Sequence, residues 1–501
     1  MGTHIENLKK LLGEVYDLNA ASSVLAWDQQ VLMPPGGAEG RAAQLATLSS
    51  LAHTKFTSNE LGEALDAAQG ETDKLDADSD EARLVSVVRR EYEKQRKVTA
   101  EWVAEYSRAT SLAHQTWQKA KAESDFGSFA PKLKEIFQLR RDYADFFKPY
   151  DHVYDPLLDD FEPGMKAADV QAIFDDLRTH QVALVQAIAD AGPPDDSMLH
   201  LHYPEADQWA FGEEVVRQFG YDFDRGRQDK SAHPFTTSFG IDDVRITTRF
   251  LEDYLPSALF ATLHEAGHAM YEQGVKPELA RTPLADGSSL AIHESQSRLW
   301  ENLVGRSWPF WVRFYGRLQE VFPSQLGQVS LDDFYHAVNK VEPSLIRVEA
   351  DEATYNLHIM LRFELEKALM EDNLPVDDLP TIWNDKMQEY LGITPPDDAK
   401  GVLQDVHWSA GLVGYFPTYA LGNLVACQWW ELIGDAIPDL EKQIEAGQFD
   451  ELLAWLRTNI HQHGRKFKPT ELIERITGKG LSAEPYLRYL RTKFGEIYGL
   501  S

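Results

Sequence analysis

The chain has 501 residues, of which 43% are hydrophobic and 11% aromatic, enough for a sizeable core and far from the composition of a disordered segment. Its formal charge of −31, from 80 acidic and 49 basic side chains, argues against a nucleic-acid partner or an anionic membrane surface, because both are polyanions. The single cysteine, Cys427, excludes an intrachain disulfide and a thiolate metal site, so any metal must be held by imidazoles and carboxylates.

The first residues carry no apolar stretch of the kind a secretory signal needs, and the longest apolar run, 413–427, is broken by Gly414, Pro417, Gly422 and Asn423. The expectation is a soluble cytoplasmic protein. From 81 to 147 apolar side chains recur every three or four residues among many charges: Leu84, Val87, Val88 and Tyr92, then Ile136, Leu139, Tyr143 and Phe146. This period predicts a run of long amphipathic helices. Breaks at Pro34-Pro35-Gly36-Gly37, Pro163-Gly164, Gly192-Pro193-Pro194 and Pro395-Pro396 read as loops rather than linkers, and no repeat of 20 to 50 residues is visible. The expectation is therefore a mainly α chain in which 1–501 form one continuous body.

The helical pattern is interrupted at 233–239 and 243–250, two runs rich in Thr, Phe, Ile and Val joined by Gly240 and Asp242, which predict a small β-hairpin. Such a ribbon is either a structural element or an extended edge on which a peptide backbone pairs. Immediately after it, Pro256 and Gly274 bracket a predicted helix over 255–273. On that helix His264 and His268 are four residues apart and share a face, so both imidazoles can reach one tetrahedral metal. Glu265 lies about 100° round the helix, beside the metal, where it serves as general base toward water. Two core histidines are the alternative. No H-x-x-G-x-x-H extension follows His268, which leaves the third ligand to a carboxylate on a second helix 20 to 30 residues on; Glu294, early in a helix beginning near Ile292, is the leading candidate. His200, His202, His461 and His463 read as exposed or structural.

Beside H-E-x-x-H, the chain has H-P-F at 233–235, D-x-R-x-T at 243–247, H-E-S-x-S at 293–297, I-R-x-x-A-D at 346–351 and G-x-x-Q-D-x-H-W at 401–408. In this set and order the sequence resembles the carboxypeptidase Taq family of metallocarboxypeptidases over nearly its whole length. The resemblance implies an elongated helical protein with a deep substrate groove, residues 1–150 forming one wall or lid and 230–420 the catalytic core. It also implies a homodimer that removes residues singly from peptide C-termini with broad side-chain tolerance, using zinc or cobalt. Matched by position, the metal ligands are His264, His268 and Glu294, and the base is Glu265.

An exopeptidase must grip a free carboxylate, and the planar guanidinium fork suits that task. Arg347 is the first candidate and Arg245 the second; each has a structural alternative, an ion pair with Asp351 or Asp243. His407, Tyr415 and Tyr419 in a Gly-rich stretch have the look of carbonyl-polarising donors, against the alternative of core aromatics, and His233 is a further substrate contact. The rival reading is an endo-acting zinc oligopeptidase or a dipeptidase, and outside enzymes a peptide-binding helical scaffold, which an intact ligand set and base disfavour.

Overall fold

The computed structural model describes residues 3–500, so Met1, Gly2 and Ser501 lie outside it. The chain is mainly helical with one three-stranded sheet and forms two compact units, each assembled from three separate stretches. Among the described residues no helix is long and apolar enough to cross a membrane.

The first unit takes Met1–Arg96, Asp196–Val338 and Trp429–Gly478. Helix His4–Val31 begins with a capping box, in which the Thr3 hydroxyl accepts from Glu6 N–H at 3.2 Å and the Glu6 carboxylate accepts from Thr3 N–H at 3.0 Å. It packs on helices Ala38–Phe56 and Asn59–Thr72. Leu8, Leu12, Phe56, Leu61, Leu65, Leu84 and Val88 form their core, which continues into Leu279 and Leu284. The N-terminal helices are thereby bound to the segment that follows the H-E-x-x-H helix, and their apolar burial holds that segment in place.

The predicted hairpin exists as β2 (Thr236–Gly240) and β3 (Asp243–Thr248), paired antiparallel with Thr236 opposite Ile246 and Ser238 opposite Val244. It is shorter at its start than the composition suggests, because Pro234 offers no N–H to a ladder. A strand absent from the sequence reading, β1 (Gln228–Lys230), pairs parallel with β3, so the sheet order is β1-β3-β2 and β2 is an edge. Thr248 is fully buried and its hydroxyl lies 2.8 Å from that of Thr262, joining the sheet to helix Leu255–Gln273.

The second unit takes Lys97–Asp195, Asn339–Gln428 and Lys479–Ser501. Its helices include Ala100–Glu123, Phe126–Asp145, Ala167–Ala191, Tyr355–Met370 and Leu379–Leu391. Helix Tyr355–Met370 is buried on almost every side and carries His358, Arg362 and Glu366 inward. Glu366 is satisfied by three donors from distant segments: Tyr154 O–H at 2.6 Å, Trp408 indole N–H at 2.8 Å and Gly414 N–H at 3.0 Å. A buried carboxyl needs such partners, and here they fasten the loop that carries His407 and Tyr415.

Candidate metal centre

Helix Leu255–Gln273 forms over the predicted span, with Pro256 in its first turn and Gly274 at its end. Gly274 is not there for a left-handed cap, since its φ is −88°; a Cβ at this position would meet the His461 side chain at 2.6 Å. Gly267, inside H-E-A-G-H, has a comparable reason. A Cβ there would stand 2.6 Å from the Gln296 carbonyl oxygen and 2.7 Å from Ser297 Cα. Glycine lets helix Leu290–Arg298, capped by Ser289, press directly on the first helix and bring Glu294 to the two histidines.

His264, His268 and Glu294 each present one ligand atom, and the three atoms lie within 4.8 Å of one another. Glu294 Oε2 is 3.6 Å from His264 Nε2 and 3.5 Å from His268 Nε2. The other ring nitrogens are engaged elsewhere. His264 Nδ1 lies 2.9 Å from Glu301 Oε2, and His268 Nδ1 lies 2.7 Å from His293 Nδ1, whose Nε2 is 2.7 Å from Glu272 Oε1. When both Nδ1 atoms donate, both Nε2 lone pairs are left for the side facing Glu294 Oε2, an arrangement in which two imidazoles and one carboxylate could hold a divalent cation.

Arg298 donates to Glu294 Oε1 at 2.7 Å and to Glu301 Oε2 at 3.2 Å, and the Ser297 hydroxyl is 3.1 Å from Glu294 Oε2. Burial works to raise the Glu294 carboxyl, but Arg298 and then His264 and His268 hold it well below the usual carboxylate range. His268 is pushed down to about 3, mainly by burial, and stays neutral. Burial acts the same way on His264, yet Glu294 and Glu301 outweigh it and raise that imidazole. Glu301 stands in a π-helical turn, Leu299–Val304, that continues the second helix.

Glu265 is buried, and burial raises its carboxyl against the pull of His264 and Thr236. Thr236, the first residue of β2, places its hydroxyl 2.7 Å from Glu265 Oε2 and 2.9 Å from the Glu265 carbonyl oxygen. The sheet edge thus begins at this carboxylate.

In the second unit Arg347, His407, Tyr415 and Tyr419 gather in one cluster. His407 Nε2 is 3.4 Å from the Tyr419 hydroxyl, the His407 and Tyr415 rings are 5.4 Å apart, and the Arg347 guanidinium lies 5.1 Å from the Tyr419 ring. Arg347 does not pair with Asp351, the partner considered from sequence. Asp351 instead accepts from the Glu342, Ala353 and Thr354 N–H groups and the Thr354 hydroxyl within its own loop. The partner of Arg347 is Asp405, reached from Nε at 3.1 Å and Nη2 at 2.9 Å, with Tyr355 O–H 3.0 Å from Nη1. Asp405 also takes Arg362 Nε at 2.6 Å, and burial of His407 among these guanidinium groups pushes its imidazole down to about 4 despite the Asp405 carboxylate.

Arg245 pairs with Asp243 at 2.8 and 2.9 Å and lies 4.4 Å from the Trp27 ring, and His233 is exposed. His461 is fully buried with Nε2 2.8 Å from the Gln296 side-chain oxygen, and His200 stacks on Tyr254, so both are structural. Sequence reasoning assigned no role to Thr236, Glu272, Arg298, Glu301 and Asp405, although Asp405 lies within a quoted motif and Thr236 and Arg298 directly follow two others.

A family model for carboxypeptidase Taq (M32) metallopeptidases matches residues 7–494. The chain is 44% identical over 504 residues to thermostable carboxypeptidase 1 of Thermus thermophilus and 38% identical over 497 residues to carboxypeptidase 1 of Bacillus subtilis, each match covering 99% of both chains. Among solved structures it is similar to the M32 carboxypeptidase of Deinococcus radiodurans, at 43% identity and a TM-score of 0.97 over 99% of this chain and 100% of that one. It is also similar to the Pyrococcus furiosus carboxypeptidase, at 37% identity and a TM-score of 0.95 over 99% of each chain.

Proposed function

The chain belongs to the carboxypeptidase Taq (M32) metallopeptidase family, and from that premise we infer how its own residues divide the work of releasing a C-terminal amino acid. It is a metal-dependent carboxypeptidase, a hydrolase of peptide bonds, and the endo-acting alternative is not favoured. We assign the metal to His264, His268 and Glu294, and take it as zinc, with cobalt as a substitute. A divalent cation held there supplies Lewis acidity toward water and toward the scissile carbonyl.

In this reading Glu265 takes the proton of the attacking water on its side-chain oxygen and returns it to the departing amine, while the Thr236 hydroxyl keeps the carboxylate aimed. We assign stabilisation of the developing oxyanion to His407 and Tyr415, with Tyr419 as their support, and the grip on the substrate carboxylate to Arg347. Their clustering and their place in the quoted motifs support this. Arg347 keeps N–H groups beyond those given to Asp405 and Tyr355, because a guanidinium has five. Arg245, already bound to Asp243, is the weaker candidate, and His233 contributes at most a peripheral contact. Broad side-chain tolerance, a homodimer and a cytoplasmic location complete the proposal. The five passages of the chain between its two units support one peptidase domain over 1–501.

The observation that carries the reading is the convergence of three ligand atoms within 4.8 Å beside a buried, hydroxyl-anchored glutamate. Elemental analysis of the purified protein, together with mass spectrometry of a free-acid peptide and its C-terminal amide, tests it. One equivalent of zinc and a ladder of losses from the free-acid C-terminus are expected. Internal cleavage of both peptides would sink it.

A further inference from the structure

Glu366 is fully buried within helix Tyr355–Met370 and has no part in the chemistry assigned to the metal centre. A carboxylate in such a place costs more than an apolar side chain of similar volume, and burial pushes this one up to about 7 against the pull of its three donors and of Arg140. What it supplies is a pair of acceptor oxygens, and the two serve different partners. Oε1 takes the indole N–H of Trp408 at 2.8 Å, whereas Oε2 takes the backbone N–H of Gly414 at 3.0 Å together with the Tyr154 hydroxyl at 2.6 Å.

Trp408 directly follows His407, and Gly414 directly precedes Tyr415. A single carboxylate therefore ties the chain next to each of the two residues assigned to the oxyanion, whose rings lie 5.4 Å apart. Between the ties the chain turns back on itself. The His407 carbonyl accepts from Ala410 N–H at 3.1 Å and Leu412 N–H at 2.9 Å, and the Gly411 carbonyl accepts from Tyr106 O–H at 2.9 Å. Glu366 extends that hold to Gly414. The φ of Gly414 is +94°, and a Cβ there would stand 2.7 Å from the Leu157 carbonyl carbon, so this tie is made where only glycine fits. The Phe161 ring then packs edge-on against Tyr415 at 5.2 Å. All of these residues belong to the second unit, so the arrangement is internal to it.

We propose that Glu366 is a positioning residue for peptide hydrolysis, which through Trp408 and Gly414 sets the spacing and aim of the His407 imidazole and the Tyr415 hydroxyl toward the developing oxyanion. The proposal rests on the assignment of those two groups to the oxyanion. Glu366→Gln keeps the size of the side chain but replaces one acceptor oxygen with an N–H donor, so either the Trp408 tie or the Gly414 and Tyr154 ties are lost. The holoenzyme is assayed on a free-acid peptide at pH 8, where the native carboxyl is ionised, with metal content measured alongside. The glutamine variant should show kcat about tenfold lower with KM within about twofold, because an oxyanion donor is engaged only in the transition state. In a background without either donor, His407→Gln with Tyr415→Phe, the same substitution should change kcat by less than about twofold, since nothing is left for it to aim. A loss of the same size in that background would overturn the proposal, as would an unchanged kcat in the single variant or a loss that follows metal content. If the glutamine variant does not fold, Trp408→Phe, which removes only the tie beside His407, goes through the same comparison and is decided by the same outcomes. A background that retains full kcat would remove the oxyanion assignment itself, and the positioning role with it.

Discussion

Gly267 lies against the carbonyl oxygen of Gln296, with no room for a Cβ between them. Two helices meet at this point, one carrying His264 and His268 and the other Glu294, so the approach of three ligand atoms depends on a missing methyl group. Gly267→Ala should force the helices apart. Overpacking of this kind costs about 1–3 kcal/mol, and the displacement of Glu294 should lower metal content after dialysis. Chemical denaturation of the metal-free protein measures the first effect and elemental analysis the second. An alanine variant with unchanged metal retention would show that the helices tolerate the shift.

Glu265→Gln keeps the size and burial of the side chain while removing its basicity. Metal content should be unchanged and kcat should fall by about 10²–10⁴-fold, the usual share of a positioned general base. Thr236→Val removes only the hydroxyl that aims the carboxylate and should cost less, about tenfold in kcat at most. Steady-state kinetics on one free-acid peptide ranks the three proteins. A glutamine variant with more than a tenth of normal turnover would dismiss Glu265 as the base.

Glu301 and the His293–Glu272 pair stand behind the two histidines proposed as ligands, at the ring nitrogens turned away from Glu294. Glu301→Gln and Glu272→Gln should each weaken metal affinity by about 10–100-fold while all three ligands remain, as expected for groups that fix imidazole tautomer and direction. Competition with a metal-sensing chelator reads this directly, without reference to activity.

These partners mark the limit of what the sequence alone discloses. The two histidines are visible because helical periodicity is local, and a four-residue spacing places them on one face whatever the rest of the chain does. Glu294 is reached by counting to the next amphipathic helix. Arg347 and Asp405 are 58 residues apart and meet only through tertiary packing, so the nearer Asp351 drew attention instead. β1 is three residues of Gln-Asp-Lys that pair parallel with β3, and nothing in so short a polar run announces a strand. Gly267 and Gly274 look like flexibility or capping in the sequence. Their reason, close contact with Gln296 and His461, lies in segments far along the chain.

Arg347 serves two masters if it binds substrate, since Asp405 depends on it as well. Arg347→Ala leaves a buried carboxylate with Arg362 as its remaining guanidinium, and breaking such a pair costs about 3–5 kcal/mol, so lost activity alone would be ambiguous. The double variant Arg347→Gln with Asp405→Asn removes both charges together and should recover much of the stability. If Arg347 grips the terminal carboxylate, kcat/KM for free-acid peptides should remain at least about tenfold down in the double variant. Recovery of activity alongside stability would confine Arg347 to a structural role and return attention to Arg245.

His407 makes a prediction about acid stability. Burial, together with Arg347 and Arg362, holds its imidazole at about 4 in the folded protein, against 6.5 for an unperturbed imidazole. Between those values the unfolded chain takes up a proton that the folded chain refuses, so stability falls as pH drops from about 6.5 toward 4 and is unaffected by this group above 7. The share due to His407 is on the order of 3 kcal/mol across that window. His407→Gln retains a polar side chain of similar reach without a titrating ring, so acidification should cost it less. Urea titrations of both proteins at pH 7.5, 6 and 5 measure the difference of differences, which cancels the contributions of the other buried histidines. A gap between the two proteins that stays constant across the three pH values would mean that His407 takes up its proton alike in the folded and unfolded chain, and a gap that moves in favour of the unaltered protein on acidification would mean that the folded state holds the proton more tightly.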